Sequence, residues 1–180
     1  MLLEVEMKVI VPCEVLVGLP SRLERTGFVL DWSGVEVDRY YQHPCRDFSV
    51  TDEALRLREI AGGSVDRFVL TWKGPKVGEG IKAREEVNFE FDEGVHSLEL
   101  ILERLGFTLV AIVRKERSVY SGMDVRVYLD RVSRLGCFVE VEALGEYSVA
   151  KTLVEKAMRT LELDSYPTTV KSYLELILER

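Results

Sequence analysis

Leu2-Leu3-Glu4-Val5-Glu6-Met7-Lys8-Val9-Ile10-Val11 opens the chain with charges and hydrophobes in alternation. Side chains of a strand point alternately to its two faces, so Glu4, Glu6 and Lys8 share one face and Leu3, Val5, Met7 and Val9 the other. Two carboxylates and an ammonium on one face could hold a hard cation and the anion bound to it. They could equally be a solvated face, which is ordinary in antiparallel sheets. The rest of the chain decides between the two.

The same design recurs downstream. Ala54 to Ile60 sets Arg56 and Arg58 opposite Leu55 and Leu57, and Gly62-Gly63 turns it into Arg67 to Lys73. Ile81 to Phe91 reads as one long strand with Lys82, Arg84, Glu86, Asn88 and Glu90 on one face. Thr108 to Tyr120 carries Lys115 and Arg117. Met123 to Val132 carries Arg126, Tyr128 and Asp130. Cys137 to Leu144 carries Phe138, Glu140 and Glu142. Val37 to Gln42 is a short strand, which brings the count to about eight. Helices are expected over Pro12 to Arg25 (broken or kinked at Pro20 and closed by Thr26-Gly27), Val95 to Leu105, Glu146 to Leu163, and a last segment capped by Thr168 or Thr169 that carries Lys171. Hairpin-like strand pairs with short turns imply an α+β arrangement on an antiparallel sheet, in one domain over 1–180.

Composition removes several classes. The chain has 180 residues, 47% hydrophobic and 31% charged, with a net charge of −7, which argues against nucleic-acid polymers as partners. No apolar run has the roughly 18–20 residues of a membrane span, and Glu4 and Glu6 interrupt any signal peptide. Cys13, Cys45 and Cys137, odd in number and without Cys-x-x-Cys spacing, read as reduced thiols of a cytoplasmic protein. His43 and His96 are the only histidines, so no histidine-rich metal site is possible. Gly74 to Gly80 lacks the P-loop pattern. No Ser-His-Asp or Cys-His pairing is readable, so no covalent enzyme intermediate is expected. Many charges with few side-chain amides point to a thermophile.

Serine, threonine and asparagine are sparse on the polar strand faces. Lysines and arginines match phosphate oxygens, while clustered carboxylates call for a cation between them. If the sheet closes, these faces meet inside a barrel with a basic part for a polyphosphate and an acidic part for Mg²⁺ or Mn²⁺. A twisted sheet with salt-bridged ladders open to water fits the pattern equally well.

Glu4-x-Glu6-x-Lys8 resembles the signature of the CYTH family, the triphosphate tunnel metalloenzymes. Leu55-Arg56-Leu57-Arg58, Thr71-Trp72-Lys73-Gly74, Arg84-Glu85-Glu86, Lys115-x-Arg117, Asp130 and Glu140-x-Glu142 follow in the family's order. The segment from Tyr40-Tyr41 through His43-Pro44-Cys45-Arg46-Asp47-Phe48 to Arg58 is similar to the class IV adenylyl cyclase branch. The resemblance implies a closed eight-stranded antiparallel β-barrel with flanking helices. It implies Lys8, Arg56, Arg58, Lys73, Arg84, Lys115, Arg117 and Lys171 as triphosphate-binding residues. It implies Glu4, Glu6, Asp130, Glu140 and Glu142 as metal ligands, with Glu4, Glu6, Lys8 and Asp130 in catalysis. Lys82, Glu86 and Arg126 share the site's face as its ion-pair partners. The implied reaction is conversion of ATP to cyclic AMP and pyrophosphate. Hydrolysis of thiamine, inorganic or nucleoside triphosphate, and triphosphate binding without turnover, are the alternatives. Tyr40, Tyr41 and Trp72 could stack on a base or fill the core. Tyr173, Leu174, Ile177 and Leu178 could pack on the barrel or on a second subunit of a homodimer.

Overall fold

The protein is described here by a computed structural model covering residues 3–62, 67–77 and 82–179. Leu2, Gly63, Gly80 and Ile81, each assigned above to a strand or turn, lie outside the described residues. β1 (Leu3–Val11) leads into α1 (Cys13–Arg25), β2 (Val29–Gln42), the short α2 (Phe48–Thr51), β3 (Ala54–Ala61) and β4 (Arg67–Lys73). β5 (Lys82–Arg84), β6 (Glu86–Phe91), α3 (Val95–Arg104), β7 (Thr108–Gly122), β8 (Val125–Val132) and β9 (Gly136–Gly145) follow. α4 (Tyr147–Thr160), the two-residue β10 (Thr168–Thr169) and α5 (Tyr173–Leu178) complete the chain.

Every pairing is antiparallel, and the strands run in the order β10-β1-β9-β8-β7-β2-β3-β4-β6. β5 pairs with β1, matching Glu4 to Arg84 and Glu6 to Lys82, while β6 pairs with β4, matching Lys73 to Glu86. Glu85 alone separates the two, so the sheet returns on itself and nearly closes into a barrel. This corrects the expected count. Among the described residues there are, apart from β10, nine strands and not eight, because the single strand expected over 81–91 divides at Glu85 to serve two neighbours. Strand β2 is also longer than expected, beginning at Val29.

The barrel is apolar outside and charged inside. Val5, Val9, Val127, Val139 and Val141 point outward from β1, β8 and β9 and are fully buried against Leu19 and Leu23 of α1 and Val154 and Ala157 of α4. Each such side chain contributes about 1.5–3 kcal/mol relative to exposure. α3 covers β3 and β4 through Leu102 and Leu98, which pack with Leu57, Leu55, Phe68 and Leu70. α1 runs on through Pro20, contrary to the expected break, and closes at Thr26 and Gly27 (φ +87°) with the Phe28 N–H donating to the Leu23 carbonyl. The last helix is capped not by the threonines, which form β10, but by a Ser172–Glu175 capping box. Tyr173, Leu174 and Ile177 pack on the barrel with Tyr40, Val113, Val132 and Phe138, while Leu178 is exposed.

The cysteines also differ from expectation. Cys13 and Cys137 form a disulfide, and only Cys45 is free. The β1–β9 register sets Val11 beside Cys137, and Cys13 starts the helix two residues on. Topology thus joins thiols 124 residues apart in sequence. Among the described residues no helix is long and apolar enough to cross a membrane.

Candidate active site

The barrel interior is a cavity of about 430 Å³. Of the residues expected in the site, Glu4, Glu6, Lys8, Arg56, Arg58, Lys73, Arg84, Arg117, Glu140 and Glu142 line it, together with Lys82, Glu86 and Arg126. The alternation of each strand places them there. Register then sets Glu6 opposite Glu142 and Lys8 opposite Glu140.

Lys115 and Asp130 are fully buried in the wall behind the lining. Arg117 forks onto Asp130, with Nε 2.6 Å from Oδ1, and also reaches Glu140 at 2.5 Å. The Tyr173 hydroxyl donates to Asp130 Oδ2 at 2.7 Å. Both Asp130 oxygens are therefore engaged by the protein itself. Lys171 stands outside the cavity, just before α5. Its Nζ pairs with Glu179 at 2.7 Å on the surface, and only its carbonyl reaches inward, accepting from Lys8 Nζ at 3.1 Å.

Sequence reasoning missed two acids. Glu36 and Asp38 line the cavity from β2, both nearly fully buried. Asp38 accepts both nitrogens of the Arg58 fork, at 2.6 and 2.9 Å, and the Lys115 ammonium at 2.6 Å. Glu36 lies 2.9 Å from Lys115 Nζ and 3.1 Å from Arg58. Burial opposes ionisation of both, but Arg58 and Lys115 overcome it and hold Glu36 down to about 2 and Asp38 well below its usual range. The signal was in the sequence, since Glu36, Asp38 and Tyr40 alternate with Val35, Val37 and Arg39. Tyr128 and Tyr173 complete the lining near Glu140 and Glu142.

The remaining acids divide by their neighbours. Glu6 is 2.8 Å from Lys82 and 3.2 Å from Lys8, and these cations hold it ionised despite burial. Glu140, 3.0 Å from Lys8, is likewise kept low by Lys8 and Arg117 against burial and Glu6. Among the described residues no cation lies within ion-pair distance of Glu4. Burial, then Glu142, pushes it up to about 8, with Glu86 and Glu6 adding to the shift and Lys73 opposing it. Burial and the charges of Glu6 and Glu140 also raise Glu142, whose only hydrogen bond among the described residues is from the Tyr128 hydroxyl at 3.2 Å. Carboxylates that repel each other in a dry site are donors a divalent cation would stabilise, and all are oxygen ligands of the kind Mg²⁺ and Mn²⁺ prefer. The donor set fits such a metal in chemistry. Among the described residues no three of these groups converge on a single point.

The cations divide in the same way. Lys8, Arg58, Lys82, Lys115 and Arg117 each have a carboxylate within 3.2 Å. Lys73 pairs with Glu86, yet burial and then Arg56 depress it to about 8. Arg56 and Arg84 are different. Both are buried, and among the described residues the Nε of each has no hydrogen-bond partner. Arg56 donates to the neutral Thr71 hydroxyl at 3.0 Å, and the nearest carboxylate to Arg84 is Asp52 at 3.8 Å. Among the described residues neither has a carboxylate within hydrogen-bond distance, and a buried charge paired so loosely is costly, so both suit an anion entering the cavity.

A barrel of antiparallel strands enclosing guanidiniums and carboxylates is what the CYTH pattern requires, and the chain matches the CYTH domain over residues 2–173. The chain belongs to the CYTH family. A CYTH relative from Methanocaldococcus jannaschii, named "Putative adenylate cyclase", is 32% identical over 179 residues, covering 97% of this chain and 98% of that one. Among solved structures, the PH1819 protein of Pyrococcus horikoshii superposes with a TM-score of 0.85 at 39% identity over 98% of both chains. A Hippeastrum protein described as a "Putative adenylyl cyclase" that reveals a dominant triphosphatase activity shares the fold. Its TM-score is 0.72 at 17% identity, covering 99% of this chain and 96% of that one.

Proposed function

We propose that the tunnel binds the triphosphate of ATP with Mg²⁺ or Mn²⁺ and converts ATP to cyclic AMP and pyrophosphate. The observation that carries the phosphate assignment is the pair of buried guanidiniums, Arg56 and Arg84, which line the cavity and whose Nε atoms lack an acceptor among the described residues. Non-bridging phosphate oxygens satisfy them at their natural fork geometry. Lys8 and Lys73 line the same cavity and add charge to the phosphate chain. Glu4, Glu6 and Glu142 would hold the divalent cation, which supplies charge neutralisation and orientation when bound. Tyr173, packed on Phe138 beneath Lys8, closes the inner end against water. In cyclisation the 3′-hydroxyl oxygen bonds to the α-phosphorus and its proton passes to solvent, while the bond from that phosphorus to the bridging oxygen breaks and its electron pair leaves on pyrophosphate. Fixed charge around the phosphorus replaces the solvent reorganisation the reaction needs in water.

The name of the M. jannaschii relative favours cyclisation. The Hippeastrum protein shows that a tunnel of this fold can belong to a protein described by its triphosphatase activity, so fold alone does not choose the reaction. Incubation with ATP, tripolyphosphate and thiamine triphosphate in Mg²⁺ or Mn²⁺, with products resolved by chromatography, makes the choice. Cyclic AMP with pyrophosphate is the expected result. Orthophosphate without a cyclic product replaces the cyclase with a hydrolase, and tight binding without turnover leaves a binding module. Glu4→Ala and Glu6→Ala should each lower metal-dependent turnover by at least about 100-fold, the scale of losing one charge-stabilising group. Unchanged turnover in both would remove the metal assignment.

A further inference from the structure

Exposure of the cavity wall changes along each strand in one direction. On β2, Tyr40, Asp38 and Glu36 are buried, Trp32 is half-buried and Asp31 is exposed. On β4 the series runs from buried Lys73, Thr71 and Val69 to exposed Arg67, and on β8 from buried Asp130 and Tyr128 to exposed Arg126. The deep end is floored by α5 through Tyr173. Among the described residues the tunnel therefore has its mouth where β2 begins and β3 ends, and a substrate held by its phosphates at Arg56 projects its organic end there.

The wall is irregular at that mouth. Asp31 and Trp32 are consecutive in β2, yet both line the cavity. Regular alternation forbids this. The β2–β7 register shifts between Leu30 and Trp32, so Asp31 is the extra residue of a bulge, a device that re-aims side chains beside functional sites. Asp31 is held by the Ser121 hydroxyl at 2.5 Å. The indole lies against the wall over two glycines. A Cβ on Gly34 would stand 2.5 Å from Trp32 Cζ2, and one on Gly62 3.6 Å from the same atom. Val119, opposite Trp32 on β7, and Ile60 at the end of β3 continue the apolar surface. Trp32 lies four residues along β2 from Glu36, about 13 Å at the rise of a strand, which separates it from the charged interior.

We propose that Trp32 is the specificity platform of the tunnel: its indole stacks on the planar aromatic base of a nucleoside triphosphate and selects such substrates over inorganic triphosphate. This rests on the triphosphate reading given above. Every base has a π-face, so the platform selects for a base without choosing which one.

The test is calorimetric binding of tripolyphosphate and of the α,β-methylene analogue of ATP, each with Mg²⁺, to the wild type, Trp32→Leu and Trp32→Phe. Trp32→Leu should weaken the nucleotide analogue by about ten- to a hundredfold, the usual loss when a stacking aromatic is removed. It should leave tripolyphosphate within about twofold, since only the base contact is lost, and Trp32→Phe should recover most of the affinity. Equal loss on both ligands, or none on the nucleotide, overturns the platform while the phosphate site stands. A wild type that binds neither ligand removes the triphosphate reading and the platform with it. A second readout needs no change at Trp32. In a Trp72→Phe background, where the outer tryptophan that donates to Glu53 is gone, the nucleotide analogue should change the Trp32 emission and tripolyphosphate should not. Identical responses to both ligands overturn the platform.

Discussion

Reducing the Cys13–Cys137 bond should cost the protein a large part of its stability. The bond closes a loop of 124 residues, and it is formed without displacing any element, because the β1–β9 register already sets Val11 beside Cys137. In the chain-entropy account, a loop of that length removes about 16 cal/mol/K from the unfolded ensemble, or about 5 kcal/mol at 25 °C. For a chain of this size each kcal/mol moves the melting temperature by about 2–4 °C, so full reduction should lower it by about 10–20 °C. Scanning calorimetry of the oxidised protein, the reduced protein and a Cys13→Ser/Cys137→Ser variant measures the shift. Cys45→Ser serves as the background, to prevent exchange through the exposed free thiol. Thiol titration in denaturant should count one thiol in the unreduced natural chain and three after reduction. Three thiols without reductant would show that the bond does not form. An unchanged melting temperature after the count has risen to three would refute the loop-entropy argument. The bond also ties β1, bearing Glu4, Glu6 and Lys8, to β9, bearing Glu140 and Glu142, so activity should fall on heating sooner in the reduced protein.

Other outcomes follow from the charge map. Arg56→Gln and Arg84→Gln should each weaken tripolyphosphate binding by about ten- to a hundredfold, the effect of losing a charged hydrogen bond, while leaving the melting temperature equal or higher, because each removes a buried charge lacking a close carboxylate. Calorimetry of binding and of unfolding reads both effects. Glu175 caps α5 and binds Lys76 at 2.8 Å; burial opposes its charge, but the Lys76 and Ser172 hydrogen bonds hold it down to about 2. A depressed carboxylate stabilises above its unfolded pKa, and that stability is lost as pH falls through the folded value. The melting-temperature advantage of the wild type over Glu175→Gln should therefore be full above about pH 4.5 and vanish toward pH 2. Gly34→Ala should destabilise by about 1–3 kcal/mol, as overpacking does, since its Cβ would stand 2.4 Å from the Ala61 carbonyl oxygen; urea denaturation measures it.

Most of the barrel could be read from alternation because each strand separates charge from hydrophobe cleanly. Ala54 to Ala61, β8 and β9 carry that signal over most of their length, whereas β7 carries it only around Lys115 and Arg117. Where the signal failed, a physical cause is visible. Val29 to Gly34 does not alternate, because a bulge at Asp31 and a glycine at 34 interrupt the period, so β2 reads as starting at Val37 and Glu36 falls outside it; Asp38 lies within the expected strand, but its inward partners Arg58 and Lys115 come from other strands. The division at Glu85 leaves no trace, since Lys82, Arg84 and Glu86 keep the same parity on both sides of it. Only the competing demands of β1 and β4 impose the break. Lys171 reads as helical if Thr168 or Thr169 is the cap. The Ser172-x-x-Glu175 box, also in the sequence, starts the helix later and leaves that side chain on the surface. The disulfide was not legible, as no local spacing encodes a contact across 124 residues.

The interior charges perform two different tasks, and their pairing tells them apart. Arg58, Lys115 and Arg117 are locked onto Glu36, Asp38, Asp130 and Glu140. A phosphate could recruit them only by displacing a buried carboxylate, which leaves that carboxylate unpaired and costs several kcal/mol. These ion pairs link β2, β3, β7, β8 and β9 across the charged inner wall. Arg56 and Arg84 need no such exchange, because an arriving phosphate removes an existing penalty instead of creating one. Lys73, which burial and then Arg56 depress to about 8, would be favoured in its charged form by an anion bound beside it. On the proposed triphosphate reading, phosphate would therefore engage Arg56 and Arg84 first and then Lys73. Substituting Arg58 should consequently lower thermal stability more than triphosphate affinity, the reverse of the order expected for Arg84.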